Sequence, residues 1–513
     1  MLATVTSAAL MGIDAFCVHL EADLARSGLP GFVMVGLAEG AVKESKERVF
    51  TALKNSGFRL PPSKITVNLA PADVRKEGSG YDLPLAVGLL AAAEVLPQEP
   101  ITGYVLAGEL SLTGELKPVN GVLPMALKAR QEGARGLIIP AENAAEAAVV
   151  QDIPVYGATS LSETMRFLLG EEGIPATTLD LDELWARRSR FSCDFSEVKG
   201  QDHAKRAIEI ASAGAHNLLF MGPPGSGKTM LAQRIATVLP LLSFDEALEV
   251  TKVYSVAGQM RSNQALITER PYRSPHHTIS DAGLIGGGQY PRPGEVSLAH
   301  RGVLFLDEFP EFKKHVLEVL RQPIEDGTVT ISRAAVSLDY PADFMLVAAM
   351  NPCPCGYLTD EMHPCTCTPQ QVQRYRSRLS GPLLDRIDLQ VEVPAVPYKD
   401  LKERSGGIDS ATMRSRIEAA RQIQAERFAG LTLTTNSELS GATLEKACAL
   451  SQSEQAFLEH AVHKLGLSAR AYTRILRIAR TIADLDGAET IATGHLAEAI
   501  NYRFLDRENR TGI

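Results

Sequence analysis

Eight residues, GPPGSGKT from Gly222 to Thr229, constrain this chain more than any others, because they join an apolar run, NLLFM, to a helix-like run, TMLAQRIATVL. A glycine loop between a buried strand and a helix N-terminus aims main-chain N–H groups at one spot, which suits a phosphate. Within this loop and the start of its helix, Gly222, Pro223, Pro224, Gly225, Ser226, Gly227, Lys228, Thr229 and Met230 are the expected contacts of ATP. Lys228 is placed to meet the β- and γ-phosphates, and Thr229 to hold Mg²⁺. The same order of elements predicts an α/β domain on an open parallel sheet, with ligands at its carboxyl edge.

GVLFLDEF, Gly302 to Phe309, ends an apolar strand in two adjacent carboxylates. An acidic turn accounts for one of them but not for both. In a phosphate-loop fold Asp307 would hold Mg²⁺ through water, and Glu308 would orient the attacking water, which predicts hydrolysis rather than binding alone. AAMNP places Asn351 at the tip of the strand FMLVAAM. Asn before Pro is commonly a turn residue; with the two earlier motifs in order, a sensor of the γ-phosphate and its water is preferred.

SGPLLDRIDL sets Arg386 between Asp385 and Asp388. Two readings stand: a structural salt bridge, or an arginine finger given to a neighbouring subunit's γ-phosphate, a device worth about 10³ to 10⁵ in rate. The second makes an isolated copy nearly inactive. LSARAYTRILRIAR starts a helix at Ser468, whose hydroxyl can cap the first turn, with Arg470 inside that turn. A cation there opposes the helix dipole and needs an anion, which bound nucleotide would supply.

At 513 residues the chain exceeds one hydrophobic core. Short β-rich segments such as ITVNLAPA and YVLAGELSL alternate with helical ones such as VKESKERVFTALKNSG, predicting an N-terminal α+β domain over 1–170. A polar, acidic linker follows over 171–190, then the ATPase core over 191–400, and an all-α lid over 401–513. The longest apolar run, LPLAVGLLAAAEVL, is too short to span a bilayer, and the N-terminus lacks a basic secretory start, so no membrane partner and a cytoplasmic location are expected. A net charge of −9 argues against a basic coat for nucleic acid, yet a motor needs positive charge only where a strand passes.

Four of the seven cysteines are bunched as CPC and CTC: Cys353, Cys355, Cys365 and Cys367. In a reducing compartment such a set is expected to bind structural Zn²⁺, with His363 able to replace one sulfur; a labile disulfide pair is the alternative. The loop begins just after Asn351, so whatever clamps it would also fix the sensor.

In this order, GPPGSGKT, SPHHTISDAGLIGGG, PRPGEVSLAHRGVLFLDEF, AAMNPCPCGY, LSGPLLDRIDL and LSARAYTRILRIART resemble the Mg-chelatase-like AAA+ family called ComM or YifB, over essentially the whole chain. The resemblance implies a homo-hexameric ATPase and a DNA helicase promoting branch migration during natural transformation. It implies single-stranded and branched DNA as partners, and leaves any recombinase or loading protein open. By the same likeness Lys228, Thr229, Asp307, Glu308, Asn351, Arg386 and Arg470 take the roles given above.

TVTIS and VSLDY, joined through Arg333, resemble the presensor hairpin of Mg-chelatase and replicative helicase ATPases, whose tip enters the pore; a small surface hairpin is the plainer reading. Arg333 would contact phosphate and give affinity without sequence readout. The Gly- and Pro-rich segment Glu269 to Gly294 offers Arg273, His276 and His277 as further DNA contacts, although a His pair is more often structural. EGSGYDLPLAV with GELSLTGELKPVNGVLPMALKAR resembles a Lon-protease fold, but the serine position falls on Asp82 and the lysine position on Leu123, so the dyad is missing and Ser79 is left as a turn residue. Lys43, Lys46 and Arg48 are interleaved with Glu44 and Glu47, as on a solvated helix. An ATP-driven protein remodeller of Mg-chelatase type, and a Lon-like ATP-dependent protease, stand as alternatives to the DNA motor.

Overall fold

The fold, taken from a computed structural model, is described for residues 1–25, 29–37, 40–76, 78–186, 191–288, 291–333, 336–360, 362–396 and 407–505. The expected linker's end at 187–190, the boundary at 400 and the hairpin tip at Ala334 and Ala335 lie outside these residues, as do the side chains of Lys43 and Arg333. By contact the chain forms two units: Met1–Arg187 with Phe244–Thr268 and Ser332–Tyr340, and Arg188–Ser243 with Glu269–Ile331 and Pro341–Ile513.

The first unit grows from a long hairpin. Strand Leu2–Met11 pairs antiparallel with Asp14–Ala25 from Leu2↔Asp23 to Met11↔Asp14. Along the second strand Val18, Leu20, Ala22 and Leu24 are buried in alternation with wetter neighbours, the period of a sheet with one dry face. The sheet has seven strands, in the order Gly31–Val35, Lys64–Ala70, Asp14–Ala25, Leu2–Met11, Tyr104–Leu106, Gly136–Pro140 and Val155–Ala158. All eleven residues of helix Asp82–Ala92 are buried. The long apolar run noted in the sequence is therefore a core helix, and no helix among the described residues is long and apolar enough to cross a membrane.

Two pieces that lie between phosphate-loop motifs in sequence belong to this first unit. Helix Phe244–Ala257 is tied to it by Ser255 Oγ donating to Glu146 Oε1 at 2.5 Å, by the Gly121 N–H donating to the Ser255 carbonyl at 3.0 Å, and by Lys252 pairing with Asp14 at 2.8 Å. The single tryptophan, Trp185, meets Phe244 edge-on, ring centres 6.0 Å apart.

The second unit is built on a five-stranded parallel sheet ordered Tyr272–Arg273, Val303–Leu306, Met345–Met350, Leu218–Met221, Leu389–Glu392. The three inner strands are buried at every residue, which is why they read as continuous apolar runs rather than alternating ones. The phosphate-loop strand lies beside the strand leading to Asn351, and the strand leading to Asp307 lies one further out, so three motifs distant in sequence open on the same sheet edge. Strands Thr328–Arg333 and Val336–Pro341 form a separate two-stranded sheet, as the hairpin reading expects.

The C-terminal region is helical: Ser410–Arg427, Gly441–Ala447, Gln452–Leu465, Ala469–Leu485 and Thr493–Asn501. Met413, Ile417, Ile475, Ile478, Ile482 and Leu496 join one apolar core with Leu218, Phe220, Val347 and Leu389 of the sheet. Inside it Asp484 is buried but saturated, accepting from Arg427 Nη1 at 2.8 Å, Arg480 Nε at 3.0 Å and Asn436 Nδ2 at 2.8 Å. The chain is thus mixed α/β, with an N-terminal α+β domain, a parallel-sheet core and an α-helical C-terminus.

Candidate nucleotide-binding and hydrolysis site

The loop Gly222 to Gly227 leaves the sheet after Met221 and enters helix Lys228–Val238. Gly227 caps that helix at φ +90°, a left-handed conformation that a side chain would strain, so the chain reaches the helix with its first N–H groups free to face the loop. Lys228 is nearly buried, and its Nζ donates to the Gly222 and Pro223 carbonyls at 2.7 and 2.8 Å and to Asn351 Oδ1 at 3.3 Å. Burial lowers the Lys228 pKa from its usual value, against the opposing charge of Asp307. Lys228 and the Asn351 amide are therefore in direct contact.

Thr229 Oγ1 donates to Asp307 Oδ2 at 2.7 Å. Two oxygens this close, one of them a carboxylate, match the hard-ligand preference of Mg²⁺, and the pair joins motifs 78 residues apart. Glu308 follows at φ 52°, ψ 43°, an unusual conformation for a residue with a side chain. Its N–H donates to Asp307 Oδ1 at 2.9 Å. His277 Nδ1 sits 3.0 Å from Glu308 Oε2, and its ring lies tilted against that of His276, ring centres 4.1 Å apart.

Of the other strand-contact candidates, Arg273 is gripped by Glu295 through two bonds of 2.6 and 2.7 Å, and His276 Nδ1 lies 3.0 Å from Thr278 Oγ1. The segment 269–294 thus directs two of its three candidates at carboxylates of this chain. Its regular structure is short, as its glycines and prolines predict: a five-residue helix, Asp281–Ile285, and strands of two residues.

Around Arg386 the structure differs from the salt bridge that sequence neighbours suggested. Asp385 accepts from Arg470 Nη1 at 2.8 Å, and Asp388 pairs with Arg474 Nε at 3.2 Å. Arg386 instead donates from Nη2 to Glu325 Oε1 and from Nη1 to the Pro382 carbonyl at 2.6 Å. Burial alone would push the Asp388 carboxyl up; His216, Arg474 and the Asn217 N–H outweigh it and hold the pKa down to about 2. Ser468 caps its helix as expected, accepting from the Ala471 N–H at 3.2 Å, and Asp385 is the anion that Arg470 needs in that first turn.

The four cysteines converge. Their sulfurs all lie within 4.8 Å of one another, the closest pairs at 3.3, 3.6 and 3.7 Å, and none is in a disulfide. A tetrahedron with Zn–S bonds of about 2.3 Å has edges of about 3.8 Å, so the set fits Zn²⁺. The N–H groups of Cys355 and Cys367 donate to Cys367 and Cys365 sulfurs at 3.4 Å, the outer contacts that steady thiolates. His363 stands apart, on Asp360 at 3.2 Å and against Tyr357. Gly356 of this loop approaches the phosphate loop so closely that a Cβ there would fall 2.6 Å from Pro224 Cδ. Arg376 holds the Pro352 carbonyl at 3.3 Å, which ties the residue after Asn351 to helix Pro369–Arg376 beyond the cysteine loop.

The place where a Lon-type dyad would sit in the first unit is closed. Asp82 is fully buried and takes Arg48 Nε at 2.8 Å, Arg48 Nη2 at 3.1 Å and the Leu110 N–H at 3.2 Å. Leu123 is fully buried, and Ser79 Oγ donates to Glu109. Arg48 faces this pair rather than open solvent, while Lys46 lies exposed beside Glu47 at 3.5 Å.

Sequence reasoning missed Asn217. Its Oδ1 accepts from the Leu346 N–H at 2.9 Å, its Nδ2 donates to the Arg386 carbonyl at 2.9 Å, and its N–H donates to Asp388 at 3.0 Å. One amide just before the phosphate-loop strand therefore registers the sensor strand and the Arg386 turn together. Nothing local marks it, since all its partners are more than a hundred residues away.

Comparison with known proteins agrees with this geometry. Residues 20–143 match the family model for "Subunit ChlI of Mg-chelatase", 194–401 that for "Magnesium chelatase, subunit ChlI", and 407–503 its C-terminal model. The chain is 47% identical over 508 residues to "Competence protein ComM" of Haemophilus influenzae, covering 99% of this chain and 98% of that protein. It is 45% identical over 507 residues to "Uncharacterized protein YifB" of Salmonella typhimurium, with the same coverage. To the "Magnesium-chelatase 38 kDa subunit" of Cereibacter sphaeroides it is 24% identical, over 59% of this chain and 88% of that subunit. With the phosphate loop, the carboxylates Asp307 and Glu308 and the Asn351 amide assembled on one parallel sheet, and with both curated and family matches running through the chain, this protein belongs to the ComM/YifB family of Mg-chelatase-like AAA+ proteins.

Proposed function

We propose that this protein is an ATP-dependent DNA motor, a homo-hexameric helicase that drives branch migration of recombination intermediates such as those formed when a cell takes up DNA. The observation carrying the ATPase half is the meeting of three motifs: Thr229 on Asp307 at 2.7 Å and Lys228 on Asn351 at 3.3 Å. ATP occupies the loop and Lys228 exchanges its carbonyl partners for phosphate oxygens; Thr229 and Asp307 would hold a Mg²⁺ ion, which would supply neutralising charge to the triphosphate. Glu308 orients water, Asn351 senses the γ-phosphate, and Arg386 and Arg470 serve the neighbouring and lid contributions. A zinc ion on the four cysteines would tie their loop to itself and so hold Asn351 and Pro224 in register.

The DNA half rests on likeness: 47% identity through the full length to a protein named for competence. The hairpin bearing Arg333 is the proposed strand contact, with Arg273, His276 and His277 behind it; the carboxylate partners of Arg273 and His277 rank these two lower. The closed Arg48–Asp82 pair supports leaving proteolysis out of this reading. Remodelling of a protein partner is the second reading, favoured by the match to a magnesium-chelatase subunit.

The test is displacement of a strand from forked and three-strand DNA by the wild type and by Lys228→Ala, with ATPase measured with and without single-stranded DNA. Activity that depends on Lys228, and ATPase stimulated by DNA, is expected. Equal displacement by the variant would remove the motor reading; ATPase indifferent to DNA would favour the remodeller.

A further inference from the structure

We infer that Glu325 is a positioning residue that stows Arg386 inside its own subunit and ties its release to the hairpin of that subunit. The inference rests on the reading of Arg386 as a finger serving the next subunit. A finger must reach outward, yet the Arg386 side chain is only 15% exposed. Nη2 is on Glu325, Nη1 is on Pro382, and Nε is buried without a hydrogen-bond partner. The two carboxylates adjacent in sequence are taken by Arg470 and Arg474, which leaves Glu325 as the charge partner of the finger.

Only the side chain is free to change. The Arg386 N–H donates to Leu383 at 2.9 Å and its carbonyl accepts from Asn217 at 2.9 Å, so the turn stays fixed while the guanidinium rotates. The hold is weak by construction: Glu325 is 56% exposed, and an ion pair with one wet partner contributes little. A γ-phosphate offers paired, charge-assisted bonds that satisfy the guanidinium more fully, including the nitrogen now left over. Stowed and engaged states are therefore exchangeable.

Glu325 also sits where the hairpin can move it. Its helix, Arg321–Asp326, ends at Gly327, and the first hairpin strand begins at Thr328. The Ala342 N–H closes the hairpin base on the Gly327 carbonyl at 2.8 Å. A pull on either strand thus acts on the turn that carries Glu325, two residues away. Strand contact at the hairpin would withdraw Glu325, free Arg386, and switch on hydrolysis in the neighbour rather than in the subunit that was touched.

The experiment uses mixed rings. Glu308→Gln subunits, which bind but do not hydrolyse, are mixed with wild type, and turnover per wild-type subunit is read without DNA. Donors carrying Glu308→Gln with Glu325→Gln are expected to raise that turnover several-fold over donors carrying Glu308→Gln alone, and to shrink stimulation by DNA. Adding Arg386→Ala to the donor should abolish the gain. A purely structural Glu325 cannot act across subunits, so equal or lower turnover with the Glu325→Gln donors overturns the inference. Failure of the underlying reading is separate: Arg386→Ala donors would then depress turnover only in proportion to dilution.

Discussion

Two charged centres in this protein are built from similar parts and do opposite things. In the first unit Asp82 opens a buried helix after a glycine turn, and in the second Lys228 opens a helix after a glycine loop. Asp82 is fully enclosed and its acceptors are filled by a guanidinium and an N–H, a permanent arrangement. Lys228 is held mainly by main-chain carbonyls, and beside it Thr229, Asp307 and Asn351 form a set of oxygens and nitrogens that a metal and a triphosphate can take over. A centre whose charges satisfy each other is structure; a centre whose charges lean on exchangeable partners is chemistry.

The largest expected effect lies at the exchangeable centre. Glu308→Gln should reduce ATP turnover by about 10² to 10⁴, the usual contribution of a general base, while nucleotide binding persists. Steady-state hydrolysis and binding of a fluorescent ATP analogue separate the two. Retained turnover would mean that the strained residue next to Asp307 is not the base, and the contrast between the centres would weaken.

At the closed centre the effect should fall on stability. Arg48→Ala leaves the Asp82 carboxylate buried without its countercharge, which costs about 3 kcal/mol or more. Trp185, the only tryptophan and part of the first unit, reports that unit's unfolding by fluorescence in denaturant. Mg-ATP binding in the second unit should stay unchanged below the transition. Loss of nucleotide binding at full folding would show that the closed pair does more than hold its own unit.

How much of this could be read in advance follows the range of the interactions. The phosphate loop, the paired carboxylates and Asn351 are short strings at strand ends, so their placement was legible. The sheet order, the attachment of helix Phe244–Ala257 to the first unit and the role of Asn217 depend on contacts a hundred or more residues away in sequence. Arg386 is the instructive case. Its sequence neighbours Asp385 and Asp388 suggested themselves as partners, but residues flanking it in a turn point elsewhere, and its partner lies 61 residues upstream. His277 likewise read as a strand contact from the company it keeps, and lies on Glu308.

A smaller effect is expected at the cysteine loop, whose Gly356 lies against Pro224 and near Asn351. Cys365→Ser should lower bound zinc, read by metal analysis, and reduce ATP turnover more than ATP binding, because the loop steadies the sensor. Full turnover in a zinc-free variant would reduce the loop to packing. A variant with neither zinc loss nor any change would point to a redox role for the thiols.

The smallest effect concerns Glu146, buried in the first unit. Burial pushes its carboxyl pKa up, against the hydrogen bonds from Ser255, from the Leu123 and Val122 backbone and from Asn143. An acid whose folded pKa is raised binds its proton more tightly in the folded chain, so it costs nothing below its unfolded pKa of about 4.3 and destabilises progressively as pH rises above that. Glu146→Gln keeps an oxygen for Ser255 Oγ and the Leu123 N–H while removing the charge. The difference in unfolding midpoint, variant minus wild type, should therefore be near its minimum at pH 4 and grow toward neutrality, then level off. A difference that shrank with rising pH would mean that Glu146 is ionised and supported by its neighbours. The first unit would then hold a second saturated charge like Asp82 rather than a proton that its burial retains.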